Sequence, residues 1–157
     1  MSRFSNIIFL DEEGTGLSPY AEMMFRWKLR NRGLSGFNVM SRGNVVLFPE
    51  PANQKLAELA RMKGFSLDNY SAKAFEGEFS ECTLILTMDG VSKQKVYDRF
   101  PHAANVYMLR EYVGESGDIR LPWGGSIEEY DAVCATVDRV TDRLLDKLTE
   151  MPEQGIL

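Results

Sequence analysis

Short apolar runs and helically spaced apolar residues take turns along this chain, and that alternation limits its fold more than any other feature. Asn6 to Leu10, Phe37 to Ser41, Thr83 to Met88 and Asn105 to Leu109 read as strands, the third most clearly a buried one. Between them the spacing predicts a helix over Ser18 to Arg32, with Ala21, Met24, Phe25, Lys28 and Leu29 on one face. Further helices are expected over Asn53 to Lys63, with Leu56, Leu59, Ala60 and Met62 inward, and over Val91 to Phe100, ending at Pro101. A last one runs from Ile127 to Glu150, where Val133, Val137, Val140, Leu144, Leu145 and Leu148 recur at three- and four-residue steps. Punctuation agrees: Ser18 is placed to cap, Pro19 to occupy the first helical position and Glu22 the first turn, while Gly33 and Gly64 follow helix ends. Strands separated by helices imply right-handed crossovers and a parallel sheet covered on both faces. The expectation is an α/β chain, three layers deep, around a central and mainly four-stranded parallel sheet. A chain of 157 residues suits one domain over 1–157.

In such a sheet, ligands bind beyond the carboxyl ends of the strands, where strand order reverses. The loop after the first strand, Asp11-Glu12-Glu13-Gly14-Thr15-Gly16-Leu17, is therefore the natural site. Strand, glycine-bearing loop and helix start usually make an anion cradle, because loop amides and the helix N-terminus converge. Here the loop carries three consecutive carboxylates and no lysine, arginine or cysteine. A net charge of −5 argues against nucleic-acid or anionic-membrane binding. No apolar run is long enough to span a bilayer, and the N-terminus enters a strand without a signal-peptide core, so cytoplasmic residence is expected. Cys82 and Cys134 are expected to be small buried residues. Together with the single His102, read as a surface loop residue, they are too few and too scattered for zinc, and no cofactor is implied.

Ser18-Pro19 and Ala21-Glu22 anchor a resemblance to the low-molecular-weight protein tyrosine phosphatases, which open with an apolar strand, the loop C-x5-R-S-P and a helix. Ser41-Arg42-Gly43 is similar to their S-A-G strand end, and Leu59 to Leu67 to their second helix and its G-I-D-L continuation. Asn69-Tyr70-Ser71-Ala72-Lys73 resembles their H-x-A-R segment, with Tyr70 where histidine is common. Leu84 to Met88 is close to L-I-L-T-M, and Leu121-Pro122-Trp123-Gly124-Gly125-Ser126-Ile127-Glu128-Glu129-Tyr130 to D-P-[YFW]-G-G-S-x-E-x-Y. The resemblance runs from about Ile7 to Leu145 and implies the family's fold.

It also places Asp11 at the nucleophilic cysteine, Leu17 at the phosphate-binding arginine and Leu121 at the general acid. Gly14 stands where the family has asparagine, so a supporting bond to Ser41 is expected to be missing. Losing a transition-state donor costs about 3–4 kcal/mol, and losing a general acid about a hundredfold or more. The implied role is that of a pseudophosphatase, in the bacterial setting the family suggests, binding a protein or small ligand at the acidic loop. Two alternatives stay open: residual phosphatase activity, and a haloacid-dehalogenase-like hydrolase, because Asp11 to Thr15 resembles D-x-D-G-T with an aspartyl nucleophile and Mg²⁺. In the latter, Asp89 is the nearest further ligand. Trp123 stands where the family presents an aromatic ring to substrate, and a packing role weighs equally. Arg42, near the cleft, is expected to pair with the acidic loop. The Met23-Met24-Phe25-Trp27 cluster reads as core or partner surface.

Overall fold

The computed structural model describes residues 3–150; residues 1, 2 and 151–157 of the expected domain lie outside the described residues. Strand β1 (Asn6–Asp11) is central because both its faces are apolar: Ile7 and Phe9 point one way, Ile8 and Leu10 the other, all fully buried. It pairs in parallel with β2 (Asn38–Gly43) on one side and β3 (Thr83–Thr87) on the other. β4 (Val106–Met108) completes the sheet, in the order β2-β1-β3-β4. All three pairings are parallel, as the alternation implies.

Period-two alternation feeds two cores. Ile7, Phe9, Leu84 and Leu86 pack with helix α1 (Leu17–Asn31) and helix α5 (Ile127–Thr149). On the other face Ile8, Leu10 and Ile85 meet Phe75 and Val96 of helix α3 (Gly90–Arg99). Helix α2 (Gln54–Met62) buries Leu56, Leu59 and Ala60, and Asn53 caps it by accepting from the Lys55 and Leu56 amides. A one-turn helix, α4 (Leu109–Tyr112), follows β4 and takes in Leu109, which the spacing puts at the end of the fourth strand. α5 starts on a reciprocal cap between Ser126 and Glu129.

Several expectations change. Met62 is 77% exposed, because it is the final residue of α2 and lies off the face that buries Leu56, Leu59 and Ala60. Cys82 is exposed rather than buried, since it stands in the turn just before β3 rather than within the strand; Cys134 is fully buried. α1 begins at Leu17, so Ser18 lies inside the helix, Pro19 is its third residue and Glu22 falls beyond the first turn. Gly33 follows the helix end with φ +66°, and the Gly33 and Leu34 amides turn back onto Arg30 and Leu29 as expected of a glycine stop. In the aromatic and methionine cluster, Met24 and Phe25 are core, while Trp27 is partly exposed and packs edge-on against Phe65. Among the described residues, no helix is long and apolar enough to cross a membrane.

Candidate functional site

β1 ends at the point where the chain steps to β2 on one side and β3 on the other, so its following loop emerges in the crevice of the sheet. Leu10 accepts from the Met88 amide, Asp11 and Glu12 carbonyls accept from Asn44 and Val45, and the Thr15 carbonyl accepts from Asn53. This ladder pins the loop against the segment after β2. Gly43, opposite Asp11 in register, comes so close that a Cβ there would lie 2.5 Å from the Gly14 nitrogen. Gly14 itself takes φ +72°, a conformation that suits glycine.

The loop amides do converge, and they converge on the chain's own carboxylate. Gly14 N donates to Asp11 Oδ1 at 2.5 Å, while Gly16 N and Ser18 N donate to Oδ2 at 3.2 and 3.1 Å. Asp11 thereby does the work of the missing side-chain cap of α1, whose N-cap Gly16 offers none. Burial pushes the Asp11 carboxyl above its ordinary value, and the amides of Ser18, Gly14 and Gly16 pull the other way without prevailing. Among the described residues, no cation touches the Asp11 carboxyl, which backbone amides hold.

Behind the loop, Tyr70 Oη donates to the Gly14 carbonyl at 2.5 Å. Ser41 Oγ donates to Glu22 Oε1 at 2.8 Å and lies 3.1 Å from Tyr70 Oη. The link between Ser41 and the loop, expected to be lost with Gly14, is therefore rebuilt through Tyr70. Burial pushes the Tyr70 hydroxyl up to about 12, with Asp11 and Glu22 adding to the effect, so it remains a donor at ordinary pH. The sequence pattern flagged Tyr70 as a departure from histidine but not as a support for the loop.

Arg42 does not pair with the acidic loop. It lies on the opposite face of β2 from Ser41, where it binds Glu78 at 2.9 Å and the Ser41 carbonyl. The cation that reaches the loop is Lys95 of α3, 2.6 Å from Glu12 Oε2 and 83 positions away in sequence.

In front of the loop lies a cleft of about 460 Å³, which brings Asp11, Glu12, Glu13, Thr15, Gly16, Leu17, Leu121 and Trp123 together. Leu17 is 2% exposed and belongs to the core. Leu121 closes over the loop so tightly that a Cβ on Gly16 would lie 2.9 Å from its Cδ1. Trp123, 70% exposed, stands at the rim, which favours the ligand-facing role over packing. Asp89, the further ligand a metal reading would need, caps α3 by accepting from the Ser92 amide at 2.8 Å. Among the described residues, no three His, Cys, Asp or Glu side chains assemble into a metal-binding group. His102 is exposed in the turn after α3. Neither thiol reaches the cleft: Cys134 is inside α5, and Cys82 sits beside Asn6, at the far end of β1 and about 16 Å of strand away.

Residues 6–154 match the profile of the low molecular weight phosphotyrosine protein phosphatases. A protein-arginine-phosphatase of Geobacillus stearothermophilus is 30% identical over 144 residues, covering 90% of this chain and 95% of that one. Low molecular weight protein-tyrosine-phosphatase PtpB of Staphylococcus haemolyticus is 44% identical over 124 residues, covering 79% and 86%. The crystal structure of a YwlE mutant from Bacillus subtilis superposes with a TM-score of 0.85 at 29% identity, covering 92% of this chain and 99% of that one. Strand order, loop position and these matches agree, and the chain belongs to the low molecular weight phosphotyrosine protein phosphatase family.

Proposed function

We propose that this protein is a non-catalytic member of its family, a single-domain, cytoplasmic binding protein built on a phosphatase scaffold. One observation carries the reading: the Asp11 carboxylate occupies the amide cradle, accepting from Gly14, Gly16 and Ser18. A phosphoryl group entering that spot would have to displace a carboxyl that is already hydrogen-bonded, beside Glu12 and Glu13. The resemblance assigns the transition-state clamp to Leu17 and the general acid to Leu121, and neither side chain can donate a hydrogen bond. Their combined absence forfeits electrostatic stabilisation of about 3–4 kcal/mol and a further hundredfold or so from proton donation. The setting comes from the relatives, whose names are bacterial protein-arginine and protein-tyrosine phosphatases. What the cleft offers in place of phosphate chemistry is an acidic loop under an exposed tryptophan, suited to a cationic or neutral group of a partner.

Purified protein incubated with p-nitrophenyl phosphate, with and without Mg²⁺, is expected to release no nitrophenol above the blank. Metal-dependent turnover that Asp11→Asn abolishes would instead establish an aspartyl hydrolase, and turnover without metal would establish residual family activity.

A further inference from the structure

Large apolar side chains left in water are few on this molecule, and most of them stand together. Among the described residues, seven are exposed, and five of these surround the acidic loop: Val45, Leu47 and Phe48 on one side, Val91 and Trp123 on the other. Leu47 is 81% exposed and Phe48 68%, so neither contributes to the protein's own core. The segment that carries them is nonetheless anchored, since Val45 N donates to the Glu12 carbonyl at 2.9 Å and the Ala72 amide donates to the Glu50 carbonyl at 2.9 Å. A hollow of about 250 Å³ lies on this side, and it shares Glu12, Glu13 and Thr15 with the 460 Å³ cleft in front of Leu121. The acidic loop is thus a ridge between two apolar hollows.

The charge on this surface is one-sided. Asp11, Glu12, Glu13, Glu50 and Asp89 line the two hollows, against Arg120 alone, and Arg120 is paired with Asp118 at 2.7 Å. Glu12 has Lys95, but among the described residues the Glu13 and Glu50 carboxylates have no hydrogen bond or ion pair. Apolar area flanking uncompensated carboxylates is complementary to a ligand that is apolar and cationic at once.

We infer that the ridge and its two hollows form one docking surface for a segment of another protein that carries an arginine or lysine between large apolar side chains. The cation sits over Glu13; the apolar side chains enter the hollows of Leu47 and Phe48 and of Trp123. The inference rests on the non-catalytic reading in one respect, that the cleft is open to a ligand other than a phosphoryl group. A second copy of this chain would set acidic ridge against acidic ridge, and an anionic membrane would meet the same repulsion.

The test uses fluorescein-labelled hexapeptides and fluorescence anisotropy: alternating leucine and arginine, alternating leucine and glutamate, and alternating serine and arginine. The full-length protein should bind the leucine–arginine peptide saturably and the other two at least about tenfold more weakly. Glu13→Lys and the double variant Leu47→Ser, Phe48→Ser should each weaken that binding about tenfold at unchanged melting temperature, since all three side chains are in solvent. Absence of saturable binding overturns the inference, as does equal binding of either control peptide. Dimerisation in sedimentation that the double variant abolishes overturns it in favour of a second copy, and flotation with phosphatidylcholine vesicles overturns it in favour of a membrane. Assaying the same preparation with p-nitrophenyl phosphate separates the two readings: an inert protein without peptide binding fails only the docking inference, and an active one that binds peptide fails only the non-catalytic reading.

Discussion

Two carboxylates in this protein are held in opposite ways. Asp11 is gripped by three backbone amides and, among the described residues, touches no cation. Glu115, just after α4, is clasped by Arg110 at 3.1 Å, Arg139 at 2.5 Å and Arg143 at 3.0 Å, which ties α4 to α5. The consequences diverge. Burial raises the Asp11 carboxyl, whereas the hydrogen bonds from Arg139, with Arg110 beside it, bring Glu115 down to about 2. Amide dipoles can orient an anion in a crevice, but without a cation they do not offset the water it loses. That distinction is the one on which the family's chemistry turns here, since the resemblance puts leucine, not arginine, at the phosphate clamp.

Asp11→Ala should have the largest effect. It leaves three amides at the start of α1 without their acceptor, and a loss of about 2–3 kcal/mol is expected by denaturant titration. The same variant uncovers the cradle, so sulfate should raise its melting temperature while leaving the wild type unmoved. Equal stabilisation of both proteins by sulfate would show that the carboxylate does not occupy the anion site.

Tyr70→Phe comes next. It removes the donor that holds the Gly14 carbonyl from behind, and about 1 kcal/mol should be lost, with greater amide exchange in the loop. An unchanged exchange pattern would mean that the loop keeps its shape from its backbone ladder and the close approach of Gly43.

The smallest effects carry opposite signs in pH. Asp11 has a raised folded value, so the stability it contributes is fully present below its ordinary 3.8 and is lost as pH rises through the folded value. Glu115 has a depressed one, so its contribution is present above its ordinary 4.5 and is lost as pH falls through about 2. Measured from pH 2 to 8, the stability of wild type relative to Asp11→Asn should therefore fall with rising pH, and relative to Glu115→Gln it should rise. The second difference should shrink in high salt, because Arg139 and Arg143 lie at the surface. Parallel profiles would erase the contrast between amide and arginine binding.

The sequence by itself determined the α/β layering, because period-two strands buried on both faces and helical apolar stripes are local patterns that only one class of fold satisfies. Through its motif order it also determined the family and the acidic content of the site loop. What it could not carry were contacts between residues distant along the chain. Ser18 had the right type for a cap, yet the cap is Asp11, reaching across the loop. Arg42 was near the cleft in sequence, yet strand alternation turned it to the other face and Lys95 supplied the cation. Cys82 opened an apolar run, yet β3 begins only at Thr83 and leaves it exposed in the turn before the strand. Tyr70, marked in the sequence only as a departure from histidine, became a support of the site only when β2 and the loop were brought beside it. Local periodicity is written into residue spacing; the partner of a buried polar group depends on which elements pack together, and only the tertiary structure decides that.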